Sequence, residues 1–172
     1  MHVYRYPGKE LVARFKANTT VRLLDMAFSR DGRYLLLVGG VPDFRLSIYD
    51  LEENKMLAIK PEAKLPCKAA EYRKAKFNPA NDREFAILTE SAVYFYQMIE
   101  GFEGQLVDGA VGDDQEENKD HYEVDKHDRL AVTEYRNENP QLRFNSFAWD
   151  QFRNVHVCCD LPLILQIDSR SG

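Results

Sequence analysis

The chain has 172 residues, 44% of them hydrophobic and 12% aromatic, which is enough for the packed core of one domain. Its apolar runs are far shorter than the roughly 20 residues of a membrane-spanning helix, which argues against a membrane partner. The net charge is −5 and the basic residues are scattered, which argues against nucleic acid as a partner. Three cysteines, two of them adjacent, form no disulfide framework and favour a reducing, cytoplasmic compartment.

The first part of the chain has the pattern of short β-strands. Residues 26–59 alternate apolar bursts with polar turns, which predicts four strands joined by three tight hairpins. In the turn SRDG, the Asp31-Gly32 pair tolerates the positive φ that such a hairpin needs. A phosphate-binding loop is a poor alternative, because it would lead into a helix carrying Lys and Ser or Thr. The pattern therefore predicts an antiparallel, all-β fold.

The same unit recurs along the chain, which is the most informative feature of the sequence. Phe28, Phe77 and Trp149 each end an apolar strand that a polar turn and a second strand follow. A third strand then carries an aromatic or apolar anchor, and the opening Tyr4 fits that same place. The predicted structural anchors of the repeat are Phe28, Asp31, Gly32, Tyr49, Asp50, Phe77, Tyr96, Trp149 and Ile167.

An acidic segment interrupts the repeat after Gly101. Between residues 108 and 128, nine acidic residues and two lysines give a local charge of −7. The segment is poor in apolar residues, so we predict an exposed, mobile insertion between two strands. Residues 130–133 are predicted to form a short strand that returns to the sheet.

Units of four strands at this spacing are typical of β-propeller blades, and the chain resembles the divergent WD-repeat family. The resemblance rests on MAFSRDGRYLLLVGG and LSIYDL, where Tyr49-Asp50 stands in the Trp-Asp position. No Gly-His pair opens a blade, and the Trp149-Asp150 pair lies in the first-strand position. The family's buried polar network is therefore not expected, and packing should hold the blades together.

A narrower resemblance is to the cilia- and flagella-associated proteins forty-three and forty-four, which are axonemal WD-repeat proteins. It rests on VYRYP at 3–7, PDF at 42–44 and FNPAN at 77–81. This resemblance implies a parent protein with tandem propellers and a coiled coil. It also implies that the partners are another axonemal WD-repeat protein, an inner dynein arm and the doublet microtubule.

The repeat predicts one partial propeller of about two complete blades plus part-blades. Its segments are 1–22, the end of a preceding blade and a lead-in; 23–60, a blade; 70–100, a blade; 101–129, the acidic insertion; and 130–172, a further, incomplete blade. A complete propeller of about seven blades needs roughly 280 residues or more, at 40–45 per blade. We therefore expect either a fragment or one half of a propeller that other sequence completes. Alone, it would expose unpaired strand edges and be poorly soluble or self-associate.

No group of residues in the sequence specifies chemistry. His121 and His127 lie among acids, but their spacing fits no calcium-binding loop, so a solvated segment is expected. Cys158 and Cys159 would point to opposite faces of a strand and lack zinc spacing, so buried apolar packing is expected. No nucleophile has a base at a recognisable spacing. We predict no catalytic residue, no cofactor and no metal.

The recurring aromatic residues are expected to form the core between blades. Tyr94 and Tyr96 should share one face of a strand, with Phe95 on the other. Two groups of charged residues are candidates for interaction with partner proteins. The basic group is Lys68, Arg73, Lys74 and Lys76, for which a solvated strand edge is the alternative. The acidic group is Asp113, Asp114, Glu116 and Glu117.

The sequence thus predicts a non-enzymatic scaffold that binds other proteins. By resemblance, its setting is the cytoskeleton of a cilium or flagellum, where it would tether inner dynein arms to doublet microtubules. One alternative is a cytoplasmic WD-repeat adaptor in translation initiation or trafficking. Another is a propeller enzyme or small-molecule binder, which inward-facing acids would support.

Overall fold

The computed structural model describes residues 2–15, 22–42, 44–57, 68–99 and 129–169, with only the backbone of 129 and 130. These residues form thirteen β-strands, and no helix among them is long and apolar enough to cross a membrane. The strands are β1 His2–Arg5, β2 Glu10–Arg14, β3 Leu23–Phe28, β4 Tyr34–Gly39, β5 Leu46–Asp50, β6 Lys55–Met56, β7 Tyr72–Asn78, β8 Asn81–Thr89, β9 Ala92–Ile99, β10 Arg129–Arg136, β11 Phe144–Trp149, β12 Asn154–Cys159 and β13 Ile164–Asp168.

Four antiparallel sheets follow one another along the chain. Sheet 1 is β1-β2, sheet 2 is β3-β4-β5-β6, sheet 3 is β7-β8-β9-β10 and sheet 4 is β11-β12-β13. Each strand pairs with its neighbour in sequence, as expected where tight hairpins connect strands of alternating direction. The all-β prediction is confirmed, and the first four-stranded unit contains the three predicted hairpins.

The predicted anchors lie side by side in equivalent registers of sheets 2, 3 and 4. We call the first strand of each of these sheets (β3, β7 and β11) its inner strand. The last or second-last residue of the inner strand pairs with a residue of the second strand. That residue pairs in turn with the anchor on the third strand. The rows are Phe28, Leu35 and Tyr49; Phe77, Phe85 and Tyr96; and Trp149, Val155 and Ile167. Aligning the three units by sequence therefore found a true structural repeat.

With the exception of the exposed Phe28, the residues of each anchor row pack against the sheet that precedes it. Tyr49 lies in a cluster with Ala13, which belongs to sheet 1, and with Phe15, which directly follows that sheet. The row of sheet 3 packs with residues of sheet 2, and the row of sheet 4 with residues of sheet 3. The Phe85 ring stacks on Tyr96 with centroids 4.8 Å apart. Burial of apolar area between successive sheets is therefore what holds the described part together.

The two faces of β9 contribute side chains to two different cores, as predicted. Tyr94 and Tyr96 lie in the core toward sheet 2, whereas Phe95 lies in the core toward sheet 4. Phe95 meets the Trp149 ring edge-on, with centroids 5.8 Å apart.

A capping side chain opens the turn after each inner strand. Ser29 Oγ accepts from the Tyr34 amide at 2.8 Å, and Asn78 Oδ1 accepts from the Ala80 amide at 2.9 Å. Asp150 occupies the same place in sheet 4. Side chains of these types satisfy turn amides locally, which explains why the same position is polar in all three units. Gly32 adopts a φ of 77°, as predicted for the first turn.

Some predictions from the sequence are wrong. Phe28 keeps its register but is 48% exposed, and Tyr4 and Tyr6 are also exposed, because no described strand covers them. The predicted strand that returns to the sheet at 130–133 is present, but residues 129–136 pair with β9 as the outer strand of sheet 3, so the boundary of the following blade at 130 is wrong. Cys158 is exposed and Cys159 half-buried, rather than both buried, because the Cys158 face of sheet 4 meets no other described sheet.

Candidate functional site

One end of the sheets carries a series of turns that are tied to one another. We call this end the turn rim; it comprises turns 29–33, 51–54, 79–80 and 150–153. The Arg30 amide donates to Asp82 at 2.8 Å, and the Arg30 guanidinium donates to the Pro79 carbonyl at 3.3 Å. Arg153 reaches Glu84 at 3.4 Å. These contacts join sheets 2, 3 and 4 at their turns.

The acidic segment leaves and re-enters the fold at this same rim. Ile99 ends β9, Arg129 begins β10, and the two residues are paired. Residues 100–128 therefore connect two adjacent positions of sheet 3. The candidate interaction residues Asp113, Asp114, Glu116 and Glu117 lie outside the described residues, as do His121 and His127.

Within sheet 2, Asp50 organises the rim. Its side chain is 3% exposed and accepts from Nη2 of Arg33 at 2.8 Å. Its other oxygen accepts from the Glu52 and Glu53 amides. Burial alone would raise the pKa of Asp50, but these hydrogen bonds outweigh burial and hold that pKa below its usual range. The same bond raises the pKa of Arg33. Asp50 is thus a structural carboxylate, in keeping with its role as a predicted anchor.

Asp150 fixes the turn of sheet 4. One of its oxygens accepts from the amides of Phe152 and Asn154, and the other lies 3.1 Å from Nε2 of His156. Although desolvation opposes ionisation, these bonds hold the pKa of Asp150 far below its usual range. The turn presents the Phe152 side chain, which is 71% exposed. Asp150 therefore holds this turn, a role that was not predicted from the sequence.

A cleft of about 270 Å³ opens at the turn rim beside sheets 3 and 4. Glu84, Gln97 and Arg153 supply its polar wall, and Trp149 lies against it. A second cleft of about 160 Å³ lies between sheets 2 and 3, with Arg33 and Arg83 among its lining residues. Glu84 is already bonded to Asn78 and Asn81, so its carboxylate is committed to the fold.

The predicted basic group separates into two kinds of residue. Arg73 is committed to the fold, because its guanidinium lies 3.1 Å from Glu90, which also binds Arg143 at 2.9 Å. Lys68 is exposed and lies just before sheet 3. These contacts lie at the other end of the sheets from the turn rim. There the turn between β8 and β9 meets the start of β11.

Lys74 and Lys76 remain without an acidic partner among the described residues. They lie two residues apart on β7 and so share the strand face toward sheet 4. The Lys76 ammonium donates to the Phe147 carbonyl at 3.2 Å and lies 5.8 Å from the Phe147 ring centroid. Partial burial and the neighbouring Lys74 both lower the pKa of Lys76. Of the four predicted basic residues, only Arg73 is thus engaged in an ion pair within the described part of the chain, and an interaction role for Lys68, Lys74 and Lys76 stays a prediction.

Within the described ranges, no group of three or more His, Cys, Asp or Glu side chains is placed to hold a metal ion. Cys67, the third cysteine of the sequence, lies outside those ranges.

No protein family and no curated protein matches the sequence. Among solved structures, the chain is similar to the Cps50 (Swd1) β-propeller domain of Myceliophteria thermophila, with a TM-score of 0.61 at 12% identity. The similarity covers 99% of this chain and 45% of that one. The fold is that of part of a β-propeller. The chain spans less than half of the propeller domain that it matches, and its sheets correspond to blades. At this identity the likeness is one of fold.

Proposed function

We propose that this chain is part of a non-enzymatic propeller scaffold that binds other proteins through its turn rim. The observation that carries the proposal is the pair of contacts between a turn of one blade and β8 of the neighbouring blade, from Arg30 to Asp82 and from Arg153 to Glu84. A rim fixed in this way presents its side chains without a large loss of conformational entropy on binding. The turn that displays Phe152 is held by three bonds to Asp150, and exposed aromatic residues are frequent anchors of interfaces.

Site-specific crosslinking in cells tests this proposal. The full-length protein would carry a photoreactive phenylalanine at Phe152 on the turn rim, or at Leu161, which is 50% exposed in the loop between β12 and β13. We expect discrete crosslinked proteins from the Phe152 position and not from Leu161. Crosslinks at Leu161 alone, or at neither position, would contradict binding through the turn rim.

We further propose a ciliary setting, in which the scaffold tethers inner dynein arms to doublet microtubules. The support is the resemblance of segments 3–7, 42–44 and 77–81 to the axonemal proteins named above. The test is fractionation of cilia that contain the tagged full-length protein. Retention in the detergent-extracted axoneme is the expected result. Recovery in cytoplasmic fractions alone would instead favour a general cytoplasmic adaptor.

A further inference from the structure

We propose that Lys74 and Lys76 form a binding site for an acidic peptide segment of a protein partner. The proposal rests on the scaffold function above and names the chemistry of one partner. It begins with a comparison of the three blades that the repeat makes possible.

The inner strands β3, β7 and β11 are equivalent residue by residue. Each has a register irregularity after its first residue, and each pairs with its second strand in the same way beyond that point. Lys76 pairs with Ala86, where the equivalent Ala27 and Ala148 pair with Leu36 and His156. Two of three blades therefore have alanine where the blade of sheet 3 has Lys76. The packing of an inner strand does not require a lysine at this position.

The position of Lys74 is equally informative. Its equivalents are Asp25 in sheet 2 and Ser146 in sheet 4. Asp25 accepts hydrogen bonds from the Tyr72 hydroxyl at 2.6 Å and the Ala75 amide at 3.2 Å, and so joins its blade to the next one. Lys74 makes no such bond among the described residues and is exposed. The junction between sheets 3 and 4 thus places positive charge where the preceding junction has a structural carboxylate.

Among the described residues, no acidic side chain pairs with Lys74 or Lys76. Within that part of the chain the Lys76 ammonium, which has three donors, has one acceptor, the Phe147 carbonyl. Glu90, an acid at the junction of sheets 3 and 4, already binds Arg73 and Arg143. Two adjacent ammonium groups repel one another, and an anionic ligand would relieve that repulsion.

An acidic peptide fits this arrangement better than a small anion does. Cα atoms two residues apart on a strand are about 6.5–7 Å apart, which is also the spacing of alternate side chains in an extended peptide. Glutamate or aspartate residues at alternate positions would therefore meet Lys74 and Lys76 in turn. Neither of the two clefts described above is lined by Lys74 or Lys76.

The blades themselves provide a test variant that should keep the fold. In Lys74→Ser/Lys76→Ala, the sheet 3 positions acquire the residues that sheet 4 already has. Binding of a fluorescent, glutamate-rich dodecapeptide to the full-length protein would be followed by anisotropy at low and moderate salt. We expect about a tenfold loss of affinity for this variant, since two partly exposed ion pairs together contribute about 1.4 kcal/mol. Lys74→Arg/Lys76→Arg should retain binding.

The matched control is Lys9→Gln/Lys55→Gln, which removes the same charge from two exposed lysines elsewhere and should leave the affinity unchanged. Equal affinity of the wild type and the Ser/Ala variant would overturn the proposal. So would tighter binding of a single-stranded oligonucleotide that depends on the same two lysines. A gain of peptide affinity when Asp113, Asp114, Glu116 and Glu117 become amides would assign the lysines to the chain's own acidic segment instead.

Failure of this site is distinguishable from failure of the scaffold function. Crosslinking from Phe152 could still capture partners while the Ser/Ala variant binds the peptide normally. That result would support the scaffold function and contradict the acidic-peptide site.

Discussion

Arg33 and Asp50 form a two-donor contact in which both Nε and Nη2 of the guanidinium approach the same carboxylate oxygen, at 3.0 and 2.8 Å. The contact closes the end of sheet 2, because Arg33 precedes β4 and Asp50 ends β5. The other Asp50 oxygen serves the amides of the following turn. One buried carboxylate therefore accepts hydrogen bonds both from a side chain and from the amides of a turn. Protonation of this carboxylate should lower the stability of the blade.

We expect the stability of the protein to fall in acid partly through Asp50. Its pKa is lowered in the folded state, so its contribution is fully present above the unfolded value of about 3.9 and is lost as pH falls through the folded pKa. Urea unfolding of the wild type and Asp50→Asn, measured from pH 6 down to 3, would show this. The difference in unfolding free energy should be about 1–3 kcal/mol at pH 6 and should shrink in acid. A difference that does not change with pH would contradict the assignment.

A second prediction concerns the junction of sheets 2 and 3. Tyr72 donates to Asp25 at 2.6 Å across 47 residues of sequence, so Tyr72→Phe removes one charge-assisted bond without changing the ring. We expect a loss of about 1.5 kcal/mol in unfolding free energy. In an Asp25→Asn background the same substitution should cost less, since the two groups act together. Additive effects in this double-mutant cycle would show that the bond contributes little.

A third prediction compares two equivalent positions of the repeat. Phe77 is 7% exposed and its ring lies 5.6 Å from Phe85, whereas Phe28 is 48% exposed. Phe77→Ala should cost about 3–5 kcal/mol, because it leaves a cavity in the core between sheets. Phe28→Ala should cost about 1 kcal/mol or less. Equal costs, measured by urea unfolding, would mean that Phe28 is covered in the folded protein.

The repeated strand and turn positions could be predicted from the sequence. The features that depend on contacts between residues far apart in the chain could not. Phe28, Phe77 and Trp149 were found because each lies between an apolar strand and a polar turn, which is a local pattern. The strand after the acidic segment was predicted from its sequence, but the boundary of the following blade was set too early, since its pairing with β9 is not local. The contact of Lys76 with Phe147, 71 residues later, has no signal in a single sequence. A signal for Asp150 did exist: it follows Trp149 as Ser29 follows Phe28, and a comparison of turn residues would have found it.

A fourth prediction concerns the first hairpin. An added Cβ at Gly32 would meet nothing within 4 Å, so any cost of Gly32→Ala comes from its φ of 77°. Left-handed backbone costs an L-residue roughly 1–2 kcal/mol. Gly32→Asn should be milder, because asparagine tolerates this region. Gly8→Ala is the control, since an added Cβ there makes an ordinary contact of 3.7 Å with Glu10. Comparable losses at both glycines would contradict a conformational cause.

The two adjacent cysteines should differ in reactivity. Cys158 is exposed, whereas burial, followed by the neighbouring Asp160 and Cys158, raises the pKa of the Cys159 thiol. The thiolate is the nucleophile in alkylation, so a raised pKa lowers the reactive fraction at neutral pH. In a Cys67→Ser background, iodoacetamide at pH 7.5 should therefore modify Cys158 first, as followed by mass spectrometry of peptides over time. Cys159→Ser should leave the fast phase intact and Cys158→Ser should remove it. If Cys159 reacts first, another segment of the protein covers the Cys158 face of sheet 4, and that face is then an interface within the complete propeller.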